Sequence, residues 1–581
     1  MKLPWIDRIG DWNPQLLREL NGRLKPRNVL ITVAISLLGQ FFLFQFFQTQ
    51  LPSAPPPIDY KYHNSNPFCT GKPDYPGAKV YVCLRDSLGN WEINWQQWWL
   101  SVFVFMSFVA IFGLLVIGTY MLIADLTQEE RRGSLNFIRL SPESTQRLLI
   151  GKILGVPILV YLLTALAIPL HLFAGLSAQI SPIEIFGFYG VVVACCILFY
   201  STALLYGLVS NWLGGFQAWL GAGVVLALLW LNATLAIYAP IYNPIAWVRL
   251  LTPFDLIPHL ADTSLSYQNV DLEKLQWFHL SLGTNVVFFT AFALLNYALW
   301  TYWVWQSLDR CFRNPNATIL SKRQSYLFTA CFTVSTLGFA LPGYTDTYLS
   351  QGTKDWLFQH LMALSFFDLL LFLYLFAALF PHRQAMQDWA RYRREKLSNR
   401  SFWSSSRLRD LIWGEKSPAL EAIAINLVIA VIPLVGLVAF SSAQIDAKLS
   451  AFFSIGLAAT LVIIYAAITQ LMLFMKANNR IYWAIGTIGA ALLVPPIILS
   501  ALSIQPGTTL GFLWLFTAGA PIVVLFPSGG LISSMTVCLG LLAQWGIFGL
   551  LNLQLTRQMR LAGESATKAL LAGRQRQQIA D

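Results

Sequence analysis

Apolar runs of membrane length recur along the chain, at 29–48, 98–123, 149–174, 183–211, 217–239, 280–305, 325–342, 358–380, 419–441, 449–475, 482–503 and 531–552. A helix needs roughly 20 apolar residues to cross about 30 Å of hydrocarbon, so these windows predict twelve crossings. A thirteenth run, 509–527, is broken by Gly519-Ala520-Pro521 and followed by Pro527-Ser528-Gly529-Gly530. Irregular backbone at membrane depth is tolerated only where protein buries it or it lines a cavity. The segment 505–530 therefore predicts a re-entrant element dipping from the outer face. Ahead of the first run, Asn13 can cap a helix that has Pro14 at its first position. Leu16, Leu17, Leu20 and Leu24 share one face of it, while Arg18, Arg23 and Lys25 project elsewhere. That pattern predicts an amphipathic helix lying in the interface within 1–28. The plain alternative is a cytoplasmic extension of the first span. The run starts at Val29 behind several charges and does not read as a cleavable signal.

Charge orients these spans. With a cytoplasmic N-terminus, 31 of the 39 Lys and Arg fall on the inner segments 1–28, 124–152, 306–324, 381–418, 475–481 and 553–581. Asp and Glu divide almost evenly between the sides. A Lys/Arg excess without an acidic excess is the positive-inside signature, and it places both termini inside. A crossing at 509–527 would put Arg557, Arg560, Lys568, Arg574 and Arg576 outside, which again favours a re-entrant reading. The net charge of +11 follows from topology and anionic headgroups. No aromatic and basic array points to nucleic acid. With 56% hydrophobic and 12% charged residues, water-soluble classes are excluded, and the expected place is the plasma (inner) membrane, multi-pass, with the lipid bilayer as a partner.

The chain also repeats. Ser141-Pro142 is followed by Pro157, and Ser417-Pro418 by Pro433, at one common offset of 276. Proline disfavours helix at the residue before it and suits the first helical turn, so each Ser-Pro restarts a helix and aims the next span. Asn13-Pro14 and Asn314-Pro315 echo the repeat, as do Pro-rich outer segments at 239–260 and 505–530. The expected organisation is an amphipathic helix at 1–28 and a first six-span half at 29–305. That half carries an outer loop at 51–97, a cytoplasmic loop at 124–148 and an outer Pro-rich segment at 239–279. A linker at 306–324 leads to a second six-span half at 325–552, with a cytoplasmic loop at 381–418 and the re-entrant segment 505–530. A basic tail follows at 553–581. The expected fold class is all-α polytopic, two diverged six-span repeats each with a re-entrant outer segment.

Candidate chemistry is sparse. Cys69 and Cys83 share the outer loop, where an oxidising compartment favours a disulfide; two unrelated thiols are the alternative. Gly71-Lys72 and Gly151-Lys152 lack the glycine spacing of a phosphate loop, no nucleophile elbow or metal array is visible, and no enzymatic role is expected. Asp368 lies inside the eighth run. Buried ionisable groups in spans usually face the bundle interior or an aqueous path, so Asp368 reads either as part of a translocation path or as an interhelical contact, for example to Ser365.

The stretch 129–152, EERRGSLNFIRLSPESTQRLLIGK, is a charged, helix-compatible segment pinned between two apolar runs. Glu129-Glu130, Arg131-Arg132, Gly133-Ser134-Leu135, Ser141-Pro142 and Gly151-Lys152 resemble the cytosolic loop of the ABC-2 family of exporter permeases. The resemblance implies the membrane half of an ATP-driven exporter, with ATP and Mg bound by a separate cytosolic ABC ATPase in two copies and no cofactor on this chain. It implies that Glu129, Glu130, Arg131, Arg132, Gly133, Leu135, Leu140, Ser141 and Pro142 contact that ATPase, and that the N-terminal helix is the family's elbow helix. Most such chains have six spans and dimerise; two fused halves imply one permease chain per two ATPases. For the second half the resemblance offers Trp413, Gly414, Glu415, Lys416, Ser417 and Pro418 as a candidate second contact. Only the Ser-Pro is kept there, without the acidic pair and Arg-Gly, so the two sides are expected to be unequal. The expected cargo is a hydrophobic or amphipathic solute moved outward. The alternative is an ion-coupled secondary transporter using Asp368. Such a protein should show several buried charges at the midplane of discontinuous spans, and the sequence offers one. A non-transporting membrane scaffold would leave the loop pattern unexplained.

Overall fold

A computed structural model describes residues 10–53, 65–74, 80–238, 244–257, 275–341, 349–396, 405–477, 479–525 and 533–562. Parts of the expected amphipathic leader, outer loops, second cytoplasmic loop, re-entrant segment and basic tail lie outside the described residues. The described chain is all-α apart from two pairs of two-residue strands, Ser65–Asn66 with Tyr81–Val82 and Gln276–Trp277 with Leu280–Ser281. It forms two compact units. The first comprises 1–241, 248–275 and 281–315; the second comprises 242–247, 276–280 and 316–581.

In the first unit, α1 (Pro14–Arg23) begins where Asn13 accepts a hydrogen bond from the Leu16 amide, with proline at the first position. The first span is α2 (Pro26–Thr49). Helix α3 runs unbroken from Trp95 to Arg131, capped by Asn94 and widened to π geometry over Gly113–Ile117. A π-bulge leaves a carbonyl unpaired within the helix, and such bulges are frequent at functional sites. Here the Tyr200 hydroxyl donates to the Leu114 carbonyl at 2.7 Å. Next come α4 (Ser134–Arg139), α5 (Thr145–Gly155) and α6 (Ile158–Ser177). The apolar run 149–174 is therefore divided at Val156-Pro157, since proline supplies no backbone donor there. The unit is completed by α7 (Pro182–Val209), α8 (Gln217–Tyr238) and α9 (Val286–Arg313).

The second unit contains α10 (Lys322–Leu337), α11 (Leu349–Leu379), α12 (Arg383–Lys396), α13 (Ser405–Trp413), α14 (Leu420–Phe440), α15 (Ile445–Phe474), α16 (Arg480–Ala501), α17 (Ala520–Leu525) and α18 (Ser534–Ala562). Eleven of the described helices are long and apolar enough to cross a membrane, one fewer than the twelve windows. The difference is α10: its 16 residues reach only about 24 Å at 1.5 Å per residue. Burial separates central helices from peripheral ones. The apolar window of α7 is 67% buried and that of α15 is 61% buried, against 11% for α2. Side chains that are apolar all round and unburied, such as Leu30, Leu37, Phe41 and Phe42 of α2, face a solvent that tolerates them, which is lipid. The chain is an all-α multi-pass membrane protein.

Candidate functional site

The segment after α3 turns because Gly133 takes a left-handed conformation, with φ of 72°, which glycine adopts without steric cost. Helix α4 follows at once, and Ser134 Oγ donates back to the Glu129 carbonyl at 3.0 Å. On this six-residue helix Leu135 and Ile138 are buried, whereas Phe137 is 81% exposed and Leu140 just beyond it 84% exposed. The turn Leu140–Glu143 carries Ser141-Pro142, and Ser144 then caps α5 by accepting from the Arg147 amide. The Arg139 guanidinium lies 5.6 Å from the centre of the Phe312 ring. The loop is thus a short helix fixed by two inward apolar side chains, with two apolar side chains left outward.

Beneath it lies an ion-pair network that the sequence pattern did not assemble. Lys152 of α5 is 2% exposed and reaches Asp125 and Glu129, each at 2.7 Å, and Glu19 at 3.7 Å. Arg23 binds Asp125 at 2.7 Å and Glu19 at 3.3 Å. Arg18 pairs with Glu129. Three carboxylates thus face three cations across α1, α3 and α5. The carboxylate oxygens of Glu19, Asp125 and Glu129 lie within 4.8 Å of one another, a spacing that suits a metal ion. The Lys152 ammonium sits among them and supplies the positive charge itself. Helix α1 can come this close because α5 presents glycines. A Cβ on Gly151 would stand 2.7 Å from Asn13 Oδ1, and one on Gly155 would stand 2.5 Å from Glu19 Cβ. Asn13 also donates to the Arg147 carbonyl at 2.7 Å.

Each residue expected from the sequence can now be placed. Glu129 is buried and bound by Lys152 and Arg18, so its side chain faces inward; Asp125 and Glu129 share one helical face, and both are drawn to Lys152. Glu130 is half-buried, Arg131, Arg132 and Gly133 are exposed, Leu135 is a core anchor, and Leu140, Ser141 and Pro142 reach the surface to differing degrees. In the second loop Trp413, Glu415 and Lys416 are exposed, while Gly414 is half-buried and Ser417 and Pro418 are buried. Ser417 Oγ donates to backbone carbonyls there, and Lys322 Nζ donates to the Leu411 carbonyl, Ser417 Oγ and the Pro418 carbonyl at 2.6–2.8 Å. Asp368 is half-buried within α11 and makes no ion pair with any described residue. Cys69 and Cys83 are joined by a disulfide next to the paired strands. Loop closure of this size contributes about 3 kcal/mol in the chain-entropy model. Cys69→Ser with Cys83→Ser is expected to raise hydrogen exchange over 65–94 severalfold and leave exchange in α7 unchanged; equal exchange in the loop would show that the strands hold it unaided.

A second polar node joins three spans of the first unit. Ser107 Oγ lies 2.8 Å from His171 Nε2, and His171 Nδ1 lies 2.8 Å from the Tyr189 hydroxyl. His171 also packs on Phe103, with ring centres 4.2 Å apart. The isolated histidine in an apolar run was the only signal for it.

No family model, curated protein or solved structure matches the chain.

Proposed function

We propose that the chain is the membrane-spanning permease of an ATP-driven exporter of ABC-2 type, working with a separate cytosolic ATPase in two copies and hydrolysing no ATP itself. The observation that carries this reading is the loop 132–144. It offers Phe137 and Leu140 to the cytoplasm on a helix seated by Leu135 and Ile138, directly above a charge network linking three helices. A partner pressing on α4 would push on the end of α3, and α3 continues without a break to the outer side of the first unit. The π-bulge at Gly113–Ile117, held by Tyr200, is the one described irregularity in α3 at which its two ends can shift relative to each other.

Twelve crossings in two six-span halves remain the topology we propose, with α10 as the seventh. Support comes from its two ends. At its start, Lys322 binds the inner loop at Leu411, Ser417 and Pro418. At its far end, Trp277 donates to the Ser335 carbonyl and the Phe278 amide to the Gly338 carbonyl; these two residues belong to the segment assigned outside by charge. The neighbour relations also recur. In the first unit α2 packs on α6, α3 on α6 and α7, and α7 on α9; in the second, α10 packs on α14, α11 on α14 and α15, and α15 on α18. The re-entrant reading of 505–530 fits the buried α17 against α15. The family resemblance supplies the outward direction of the solute; a hydrophobic or amphipathic cargo and a plasma-membrane location accompany the proposal. A secondary transporter centred on Asp368 is the weaker reading, because Asp368 makes no ion pair with a described residue and the buried Arg249 and Asp255 are paired with each other.

The test is isolation of the tagged chain from its own membranes in mild detergent. ATP hydrolysis sensitive to vanadate should copurify with an ATPase subunit at two copies per chain. Stoichiometric absence of such a subunit, with transport retained in vesicles lacking ATP, would remove the proposal.

A further inference from the structure

The second unit contains a cavity of about 400 Å3 whose walls are polar and basic. It is lined by Asn316, His382, Arg383, Gln387, Arg391 and Arg480, with Asp388 also on its wall. These residues come from 306–324, 381–418 and 475–481, three segments that charge alone assigns to the cytoplasmic side. Three guanidinium groups face one carboxylate, and that carboxylate reaches Arg391 only at 4.0 Å. Arg383 also lines the cavity, and its Nε is buried without a hydrogen-bond partner among the described residues. Burial, and secondarily the positive charge of Arg480, hold the His382 imidazole below its usual pKa.

The cavity stands at the border of the bilayer. Arg480 is the first residue of the span α16, and the next two aromatic side chains, Tyr482 and Trp483, are 49% and 59% exposed, in the manner of an interfacial aromatic belt. Helix α12 is a basic amphipathic helix that buries Met386 and leaves Tyr392 outward; such helices lie at the headgroup level. Guanidinium groups bind phosphate bidentately, and basic pockets between spans on the cytoplasmic side take anionic headgroups.

We propose that this cavity binds the phosphate of an anionic phospholipid of the cytoplasmic leaflet, with Arg383, Arg391 and Arg480 as the phosphate ligands. The lipid would tie the entry of α16 to α12. The inference does not depend on which energy source drives the protein.

Two measurements test it on the full chain. In the wild type, a photoactivatable phosphatidylglycerol with the reactive group next to the headgroup should label peptides covering 382–391 and 480–483. Labelling confined to other peptides would overturn the assignment. By native mass spectrometry in neutral detergent, Arg383→Gln with Arg480→Gln should weaken phosphatidylglycerol binding roughly 30-fold, from a contribution of about fivefold per basic residue near the surface. Arg383→Lys with Arg480→Lys should recover part of that loss, and phosphatidylcholine binding should not change. Inorganic phosphate that binds as tightly as phosphatidylglycerol would make this a free-anion site and overturn the lipid assignment. Unchanged lipid binding by the glutamine variant, or loss of ATPase recruitment in its place, would assign the cavity to another role and overturn the proposal as well.

Discussion

Lys152→Met is expected to release α1 from the inner end of the first unit and to be among the most destabilising single changes in the described chain. Lys152 is 2% exposed and stands between Asp125, Glu129 and Glu19. Removing it leaves three carboxylates facing only Arg18 and Arg23. Removing one partner of a buried ion pair typically costs about 3–5 kcal/mol, because the remaining charge is buried without compensation. Arg18 provides the contrast within the same network, since its side chain is 52% exposed. Exposed pairs contribute roughly 0–1 kcal/mol, so Arg18→Gln should be mild. Thermal unfolding midpoints of the detergent-solubilised chain decide between these outcomes. The double change Lys152→Met with Glu129→Gln should recover part of the loss, as coupled neighbours do. A Lys152→Met chain as stable as Arg18→Gln would mean that the network is a solvated cluster that bears no weight in the fold.

The network also shows what was legible in the sequence. Span positions follow from runs of apolar residues, because lipid asks for the same chemistry around the whole helix. Orientation follows from Lys and Arg, which the membrane sorts by side. Neither signal reports on a contact between segments more than a hundred residues apart. Glu19, Asp125 and Lys152 each look like ordinary charges at the end of a span. Only the close approach of α1 over Gly151 and Gly155 makes them a unit. The resemblance pairs Glu129 with Glu130 as ATPase contacts, yet one residue on a helix is about 100° of rotation, enough to send Glu129 inward to Lys152. Phe137 carries no motif, and its exposure is something that periodicity on a six-residue helix cannot resolve. The short α10 eluded the count of apolar windows in the opposite sense. Its run 325–342 is long enough on paper, but the helix ends at Leu337, and Gly338 follows as its cap.

Phe137→Asp combined with Leu140→Asp is expected to abolish recruitment of the ATPase while the chain folds and inserts normally. On the proposed reading these are the apolar side chains that a cytosolic partner would bury. Both are more than four-fifths exposed, so their replacement removes almost no internal packing. Apolar anchors at the centre of an interface commonly contribute about 2 kcal/mol or more each when truncated. Charges placed in a desolvated pocket add to that loss, and weakening of roughly 100-fold or more follows. Leu135→Asp is the control for folding: Leu135 is 1% exposed, and a carboxylate there should lower the thermal midpoint of the chain itself. In the second loop, Glu415→Ala with Lys416→Ala should reduce recruitment only modestly. Those two are exposed charges flanking a buried Ser417-Pro418 anchored by Lys322, and charges at the rim of an interface contribute little. Copurified ATPase per chain and substrate-stimulated hydrolysis after reconstitution are the two measurements. Recruitment undiminished by Phe137→Asp with Leu140→Asp would show that α4 is not the contact, and force entering the protein would then have to be sought at α13 and the second loop.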